Sequence, residues 1–292
     1  MAEDKLILEP TYINATTIPD AFHQALFNLL HPSCQPKTHK YLIDKGSYEG
    51  HFRHEFDNFC CTIAQPWVRP LLPTFSKNLG IPNPVDEDYL MGYTKEDGTW
   101  VKGYTERYLL SDEVEPTETY TYGQRMNGEW ILSFFDIPKE STIEMKVEDS
   151  GTWYKVSQVQ EIVRLFRDKK AFGTNQAVIE IGKPEDILSS DPPCLRLIQF
   201  RVIAGHLHMI VYFRSWDLWN GFPCNIAGLQ IFKEYMCAET GLEDGSITAY
   251  SPGLHLYKYA VELAALVTHY NLGPDGWVVT EEGKHSTEIG GM

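Results

Sequence analysis

Covalent chemistry in this chain would have to rest on Cys194. Two prolines, Pro192 and Pro193, precede it and a β-type run follows, so the thiol stands at a rigid loop-to-strand junction. A free cysteine is also among the most often buried residue types, and its position alone leaves open a structural thiol or a nucleophile. The segment Phe213-Arg214-Ser215-Trp216-Asp217-Leu218-Trp219-Asn220-Gly221-Phe222-Pro223-Cys224-Asn225 favours the nucleophile. It crowds an arginine, a serine, an aspartate, two tryptophans and two asparagines between apolar stretches. Burying such groups costs free energy unless they satisfy one another or a ligand, and a ligand site is the economical account. An arginine beside a thiol lowers its pKa and supplies thiolate. Asn225 either caps the following helix or meets a ligand. Its amide carries a donor and an acceptor on one edge, as reading a pyrimidine O4 and N3–H requires.

The elements that must position these residues are legible in the apolar spacing. Phe22, Ala25, Leu26 and Leu29 predict an amphipathic helix over 18–30, opened by Thr16-Thr17 and stopped before Pro32. Val156, Val159, Ile162, Val163 and Phe166 predict a second over 156–169, with Lys/Arg at its C-terminus and Gly173 beyond. Residues 177–181 read as a strand. Residues 195–203 and 206–213 read as two long strands joined at Ala204-Gly205, a hairpin signal. A helix over 225–239, apolar on most sides and closed by Gly241, must run through a core, and another covers 257–269. The expected fold class is therefore α+β, a mixed sheet packed around a long buried helix. Residues 85–108 form an aromatic and acidic patch of unassigned form.

Composition sets the outer bounds. The chain has 292 residues, 43% hydrophobic and 22% charged, ordinary for a folded protein and contrary to disorder. No repeat or linker appears, so one domain over 1–292 is expected. The run Leu207 to Phe213 is broken by His208 and falls far short of the ~20 residues of a membrane span. The start, Met1-Ala2-Glu3-Asp4-Lys5, does not resemble a secretion signal. Six scattered cysteines without CxxC spacing point to reduced thiols in a cytoplasm and to no metal. The formal charge of −15 repels a phosphate polymer, which argues against nucleic-acid binding. A small anion held by converging arginines is compatible with it, because that field is screened beyond ~8 Å.

Taken in register, Pro193-Cys194, Gln199-Phe200, Arg214-Ser215-x-Asp217, Gly221-x-Pro223-x-Asn225-Ile226-Ala227, Thr240-Gly241-Leu242 and His255-Leu256-Tyr257 resemble the thymidylate synthase and pyrimidine hydroxymethylase superfamily. Tyr120-Thr121-Tyr122-Gly123 and Gln158 match less closely, residues 1–110 are divergent, and a polar tail at 280–292 stands where the family has an apolar lid. The resemblance implies a thymidylate-synthase-like fold and a homodimer whose substrate is a pyrimidine nucleotide monophosphate. Its cofactor would be 5,10-methylenetetrahydrofolate or a related reduced pterin. The Cys194 thiolate would add to C6 of the base and make C5 a carbon nucleophile. Arg214 and Ser215 would hold phosphate, Asn225 would read the base, and His255 with Tyr257 would grip the sugar 3′-hydroxyl. Tyr122 would assist removal of the C5 proton, with Glu87 as general base. Asp217, with Trp216 and Gly221, would face the pterin.

Departures from the family pattern are specific. Leu195 follows the nucleophile where the family has His, and Phe213 replaces a Gln. The arginine pair that the family sends to a partner's phosphate falls at Thr174-Asn175, with Lys169 and Lys170 as neighbours. In the phosphate loop, Lys45 stands where an Arg is expected, with Arg53 nearby, and Lys donates as a point charge rather than a fork. Three functions remain open on these residues: methyl transfer from dUMP to dTMP, 5-hydroxymethylation of a pyrimidine nucleotide (dUMP, UMP or CMP/dCMP), and nucleotide binding without turnover.

Overall fold

The computed structural model describes residues 7–31, 37–44, 48–133, 137 and 139–273. In chain order its first elements are β1 (Pro10–Ala15), α1 (Ile18–Leu30), β2 (Thr38–Leu42), β3 (Phe52–Phe56) and β4 (Asn58–Ile63). There follow α2 (Glu87–Met91), β5 (Gly92–Thr94), β6 (Trp100–Lys102), α3 (Tyr122–Asn127), β7 (Glu129–Leu132), β8 (Thr142–Glu148), β9 (Gly151–Val156) and α4 (Gln158–Arg167). The C-terminal part holds β10 (Val178–Glu180), β11 (Leu195–Ile203), β12 (His206–Phe213), β13 (Trp216–Asp217), α5 (Gly221–Thr240), β14 (Glu243–Ser251), β15 (Leu254–Tyr257) and α6 (Lys258–Thr268).

The fold is mixed α+β. A six-stranded sheet runs β1-β4-β14-β12-β11-β10, with β1/β4 and β12/β14 parallel and the other neighbours antiparallel. A second sheet, β13-β15-β3-β2, carries the polar segment that follows β12. The β11–β12 hairpin has the bounds its sequence predicts. Ala204 and Gly205 both adopt positive φ, 51° and 84°, the backbone hand that matches strand twist in a two-residue turn.

Helix α5 packs on β12 and β14 of the large sheet and on α1 and α4. Phe222, Ile226, Ala227, Leu229, Phe232 and Met236 are buried along it, at about 1.5–3 kcal/mol for each large side chain removed from water. It starts four residues earlier than the apolar period predicts, because the Asp217 carboxylate accepts the N–H groups of Trp219 (3.1 Å) and Asn220 (3.2 Å) and closes the turn before Gly221. Asn225 therefore lies inside the helix and does not cap it. Gly241, at φ 71°, ends α5 as expected.

Local chemistry trims the other helices. Thr17 caps α1 by accepting from the Asp20 N–H, and Asp20 in turn accepts from the Thr16 N–H at 2.7 Å. Helix α4 is shorter than predicted: Ser157 caps it, its hydroxyl accepting from the Gln160 N–H at 3.1 Å, and Val156 is left in β9. Residues 85–108 resolve into α2 and the β5–β6 hairpin, leading to a helical turn at Glu106–Leu110. No helix among the described residues is long and apolar enough to cross a membrane.

Candidate active site

Cys194 is half-buried at the mouth of the β11–β12 hairpin, where the Arg214 N–H donates to its carbonyl at 2.9 Å. The Arg214 side chain folds back on the same loop, Nε donating to the Pro193 carbonyl at 3.1 Å and Nη2 to the Pro192 carbonyl at 2.5 Å. Burial pushes the thiol pKa up; the charges of Arg214 and Arg196 pull it down and Asp191 adds to the rise. The net shift is upward, so the group rests as a thiol at neutral pH. The expected arginine-generated thiolate is corrected accordingly: Arg214 acts in the anticipated direction, and desolvation outweighs it.

Tyr122 opens α3 next to this loop, with Thr121 as the cap, and its hydroxyl accepts the Leu195 N–H at 3.4 Å. Burial drives the Tyr122 hydroxyl far above its ordinary range, with Cys194 and Tyr120 contributing. Tyr120 is pushed up to about 12, chiefly by burial and then by Cys194. Both phenols keep their protons. They line a cavity of about 150 Å³ together with Tyr89, Tyr104, Tyr108 and Thr121.

Tyr89 and Tyr104 also border a larger cavity of about 500 Å³, whose other walls are Pro84, Val85, Asp86, Asp217, Asn220, Gly221, Cys224 and Asn225. Tyr104 fits against α5 at Gly228, where an added Cβ would fall 2.4 Å from the ring, so glycine makes the approach possible. The Asn225 amide donates to the Tyr104 hydroxyl at 2.7 Å and accepts from the Trp216 indole N–H at 2.9 Å. Trp216 itself is 2% exposed and does not border the cavity, so its expected contact with a cofactor is replaced by a contact with Asn225.

The third part of the site lies on the small sheet. Parallel pairing of β13 with β15 sets Asp217 opposite His255. His255 is buried; its Nδ1 donates to the Gly253 carbonyl at 2.9 Å, which leaves Nε2 a bare acceptor with no partner. Burial holds its pKa below the ordinary value. Tyr257 stacks edge-on to His255 at 4.6 Å and faces Arg53 across β3. Burial raises the Tyr257 hydroxyl, with Asp217 adding and Arg53 opposing; Cys194 is near enough to contribute. Arg53 pairs with Glu55 at 2.6 Å and lies over the Tyr41 ring. Ser215 is half-buried beside Gly253.

The structure thus gathers Cys194, Arg214 and Tyr122 in one group, Asn225, Asp217 and Gly221 around the large cavity, and His255, Tyr257 and Arg53 beside them. Glu87 is not brought in. Helix α2 buries only Leu90 and leaves Glu87 in solvent, while its neighbour Asp86 borders the large cavity. Lys45 lies outside the described residues, as does the tail at 280–292. Lys169 and Lys170 are exposed after α4. Sequence reasoning missed Tyr89, Tyr104, Tyr108 and the cavity role of Tyr120, although the aromatic density of 85–108 was a visible signal. It also missed Asp186, buried in the acidic loop and bonded to Arg125 and Arg196.

The mixed α+β architecture is that of a thymidylate-synthase-like protein, and the thymidylate synthase family model matches residues 120–271. The chain belongs to that family. A protein of Methanosarcina acetivorans named "Putative thymidylate synthase" is 30% identical over 167 residues, 56% of this chain and 66% of that one. A protein of the same name from Methanococcoides burtonii is 27% identical over 179 residues, covering 60% of this chain and 71% of its own length. The first of these matches spans just under two thirds of the relative. The solved structure of thermostable thymidylate synthase A from Bacillus subtilis is similar in fold, with a TM-score of 0.50 and 14% identity over 88% of this chain and 85% of that one.

Proposed function

We propose that the protein transfers a one-carbon unit to C5 of a uridylate-type nucleotide through a Cys194 adduct at C6. The observation that carries this reading is the grouping of a half-buried Cys194 with Arg214 and a protonated Tyr122 beside a tyrosine-lined cavity. After losing its proton, the Cys194 sulfur bonds to C6 and the electron pair of the C5–C6 double bond moves toward O4, which makes C5 nucleophilic. Once C5 carries the new carbon, the C5 proton passes out through the Tyr122 hydroxyl, which accepts it while giving up its own, and the carbon separates from its donor, the donor keeping the bonding pair. Addition of hydride or of water to that carbon then returns an electron pair to C5 and O4, which re-forms the C5–C6 double bond and expels the Cys194 sulfur. Arg214 and Ser215, with Arg53, supply the phosphate contacts, and the unpartnered Nε2 of buried His255 accepts from the sugar hydroxyl beside Tyr257.

A reduced pterin fits the larger cavity. Apolar and aromatic walls (Pro84, Val85, Tyr89, Tyr104) suit a planar heterocycle, and Asp217 and Asp86 offer carboxylates to its N–H groups. Such a group supplies the carbon unit and, for a methyl product, the reducing hydride. Asp217 is preset for contact because two backbone N–H groups hold its carboxylate.

The test is tritium release from 5-tritiated dUMP, UMP and dCMP with methylene-folate. Release from a uracil nucleotide, lost in Cys194→Ser, supports the reading; wild-type turnover in Cys194→Ser overturns it. Product mass separates methyl from hydroxymethyl, and absence of release from every nucleotide leaves binding without turnover. A cytoplasmic location belongs to the same proposal, in keeping with the five described cysteines, all free thiols.

A further inference from the structure

An asparagine amide can face a pyrimidine in two ways. With N–H toward position 4 and carbonyl toward N3 it complements uracil; rotated by 180° it offers an acceptor to an amino group and a donor to a bare N3, which complements cytosine. The two orientations occupy the same volume, so asparagine alone does not discriminate. Something must prevent the rotation.

Trp216 meets that requirement. Its indole N–H is donor-only, and at 2.9 Å from Asn225 Oδ1 it tolerates the amide oxygen and opposes the amide nitrogen. The indole cannot swing aside. It stacks on Phe213 with ring centroids 3.9 Å apart at 5°, and it packs on Phe222 at 4.8 Å. Phe213 and Trp216 are both buried. The Tyr104 hydroxyl on the other side of the amide can donate or accept, so it follows the orientation that Trp216 sets. By accepting from Asn225, it directs its own proton elsewhere. Phe213, one of the departures from the family pattern, thereby acquires a purpose as the platform for the indole.

We infer that Trp216, seated on Phe213, is a positioning residue that locks the Asn225 amide in a single orientation and so makes it discriminate between uracil-type and cytosine-type edges. This inference rests on the proposed reading of the site as one for a uridylate-type nucleotide, which the locked orientation then favours.

The experiment compares dUMP with dCMP, by equilibrium binding and by tritium release, in the wild-type protein, Trp216→Phe and Tyr104→Phe. Wild-type protein is expected to favour dUMP by at least ~10-fold, the scale of one mismatched buried hydrogen-bond pair. Trp216→Phe keeps the ring stack and frees the amide, so the dUMP/dCMP ratio should narrow at least ~5-fold through a gain in dCMP. A packing defect alone would lower both nucleotides together. Tyr104→Phe should lower both and keep the ratio. Equal wild-type affinity for the two nucleotides, or an unchanged ratio in Trp216→Phe, overturns the inference. Failure of the reaction itself is distinguishable: tritium is then released from neither nucleotide while the binding ratio still reports on the lock.

Discussion

Arg125 closes on Asp186 with both terminal nitrogens, at 2.9 and 2.7 Å to the two carboxylate oxygens, and Arg196 adds a contact at 2.8 Å. Arg125 stands one helical turn after Tyr122, and Arg196 two residues after Cys194. The buried carboxylate therefore joins α3, which Tyr122 opens, to β11, which Cys194 precedes.

Asp186→Asn keeps the shape and removes the charge between two guanidinium groups. A loss of about 3–5 kcal/mol is expected, because breaking one side of a buried pair strands the other. Burial alone would raise this carboxyl, but hydrogen bonds from Arg125 and the Lys183 N–H, with the charges of Arg125 and Arg196, hold it at about 2. A depressed carboxyl stabilises the fold above its unfolded pKa of ~3.9 and loses that contribution as pH falls toward about 2. Denaturant melts should show the wild-type advantage in full above about pH 4 and closing below it. An advantage that persists at pH 2 would contradict the assignment.

Cys194 should behave as a shielded thiol. Iodoacetamide labelling followed by mass spectrometry is expected to show a pH midpoint above that of ordinary cysteine, since burial outweighs the neighbouring arginines. Arg214→Gln removes a charge that opposes the rise and should move the midpoint higher. A lower midpoint in that variant would mean that Arg214 does not act on the sulfur.

His255→Phe preserves the edge-on ring contact with Tyr257 and deletes the bare acceptor. KM for the nucleotide should increase about 10-fold, and the increase should vanish with an analogue lacking the 3′-hydroxyl. Because burial lowers the His255 pKa, the ring stays neutral, and the ratio of wild-type to His255→Phe affinity for the nucleotide should be constant from about pH 6.5 to 8. Equal losses with both nucleotides would assign His255 to packing alone.

The large sheet offers a face for self-association. Tyr12, Cys60, Tyr250 and Tyr212 lie side by side across β1, β4, β14 and β12, and the three tyrosines are exposed. The homodimer that the sequence resemblance implies would cover this row. Sedimentation of the wild type should give twice the 33.4 kDa of the chain, and Tyr250→Asp should give the monomer. A monomeric wild type, or a variant that still sediments at the doubled mass, would rule this face out.

How much of this was legible in the sequence depended on the range of the interactions. The β11–β12 hairpin was readable to the residue, because two apolar runs and an Ala-Gly turn specify it locally. Helix α5 was readable by its apolar character, but not its start, because the closing bonds come from an Asp217 side chain outside the apolar pattern. The segment 213–225 announced itself through the cost of burying so many polar groups. The tyrosine cavity did not, since Tyr89, Tyr104 and Tyr122 meet only when α2, the turn before Leu110 and α3 converge. Glu87 was misjudged because an acidic cluster looks alike whether it faces solvent or a cavity; the difference lay in which side of a five-residue helix was buried.

The grip of Arg214 on Pro192 and Pro193 has a further consequence. Two of its donor nitrogens, Nε and Nη2, are already spent on the strap that carries the sulfur. A phosphate that recruits this guanidinium must draw it off those carbonyls, or settle for the edge left over. In the first case occupancy would release the guanidinium's latch on the loop that leads into Cys194. A nucleoside stripped of its phosphate would leave the latch fastened.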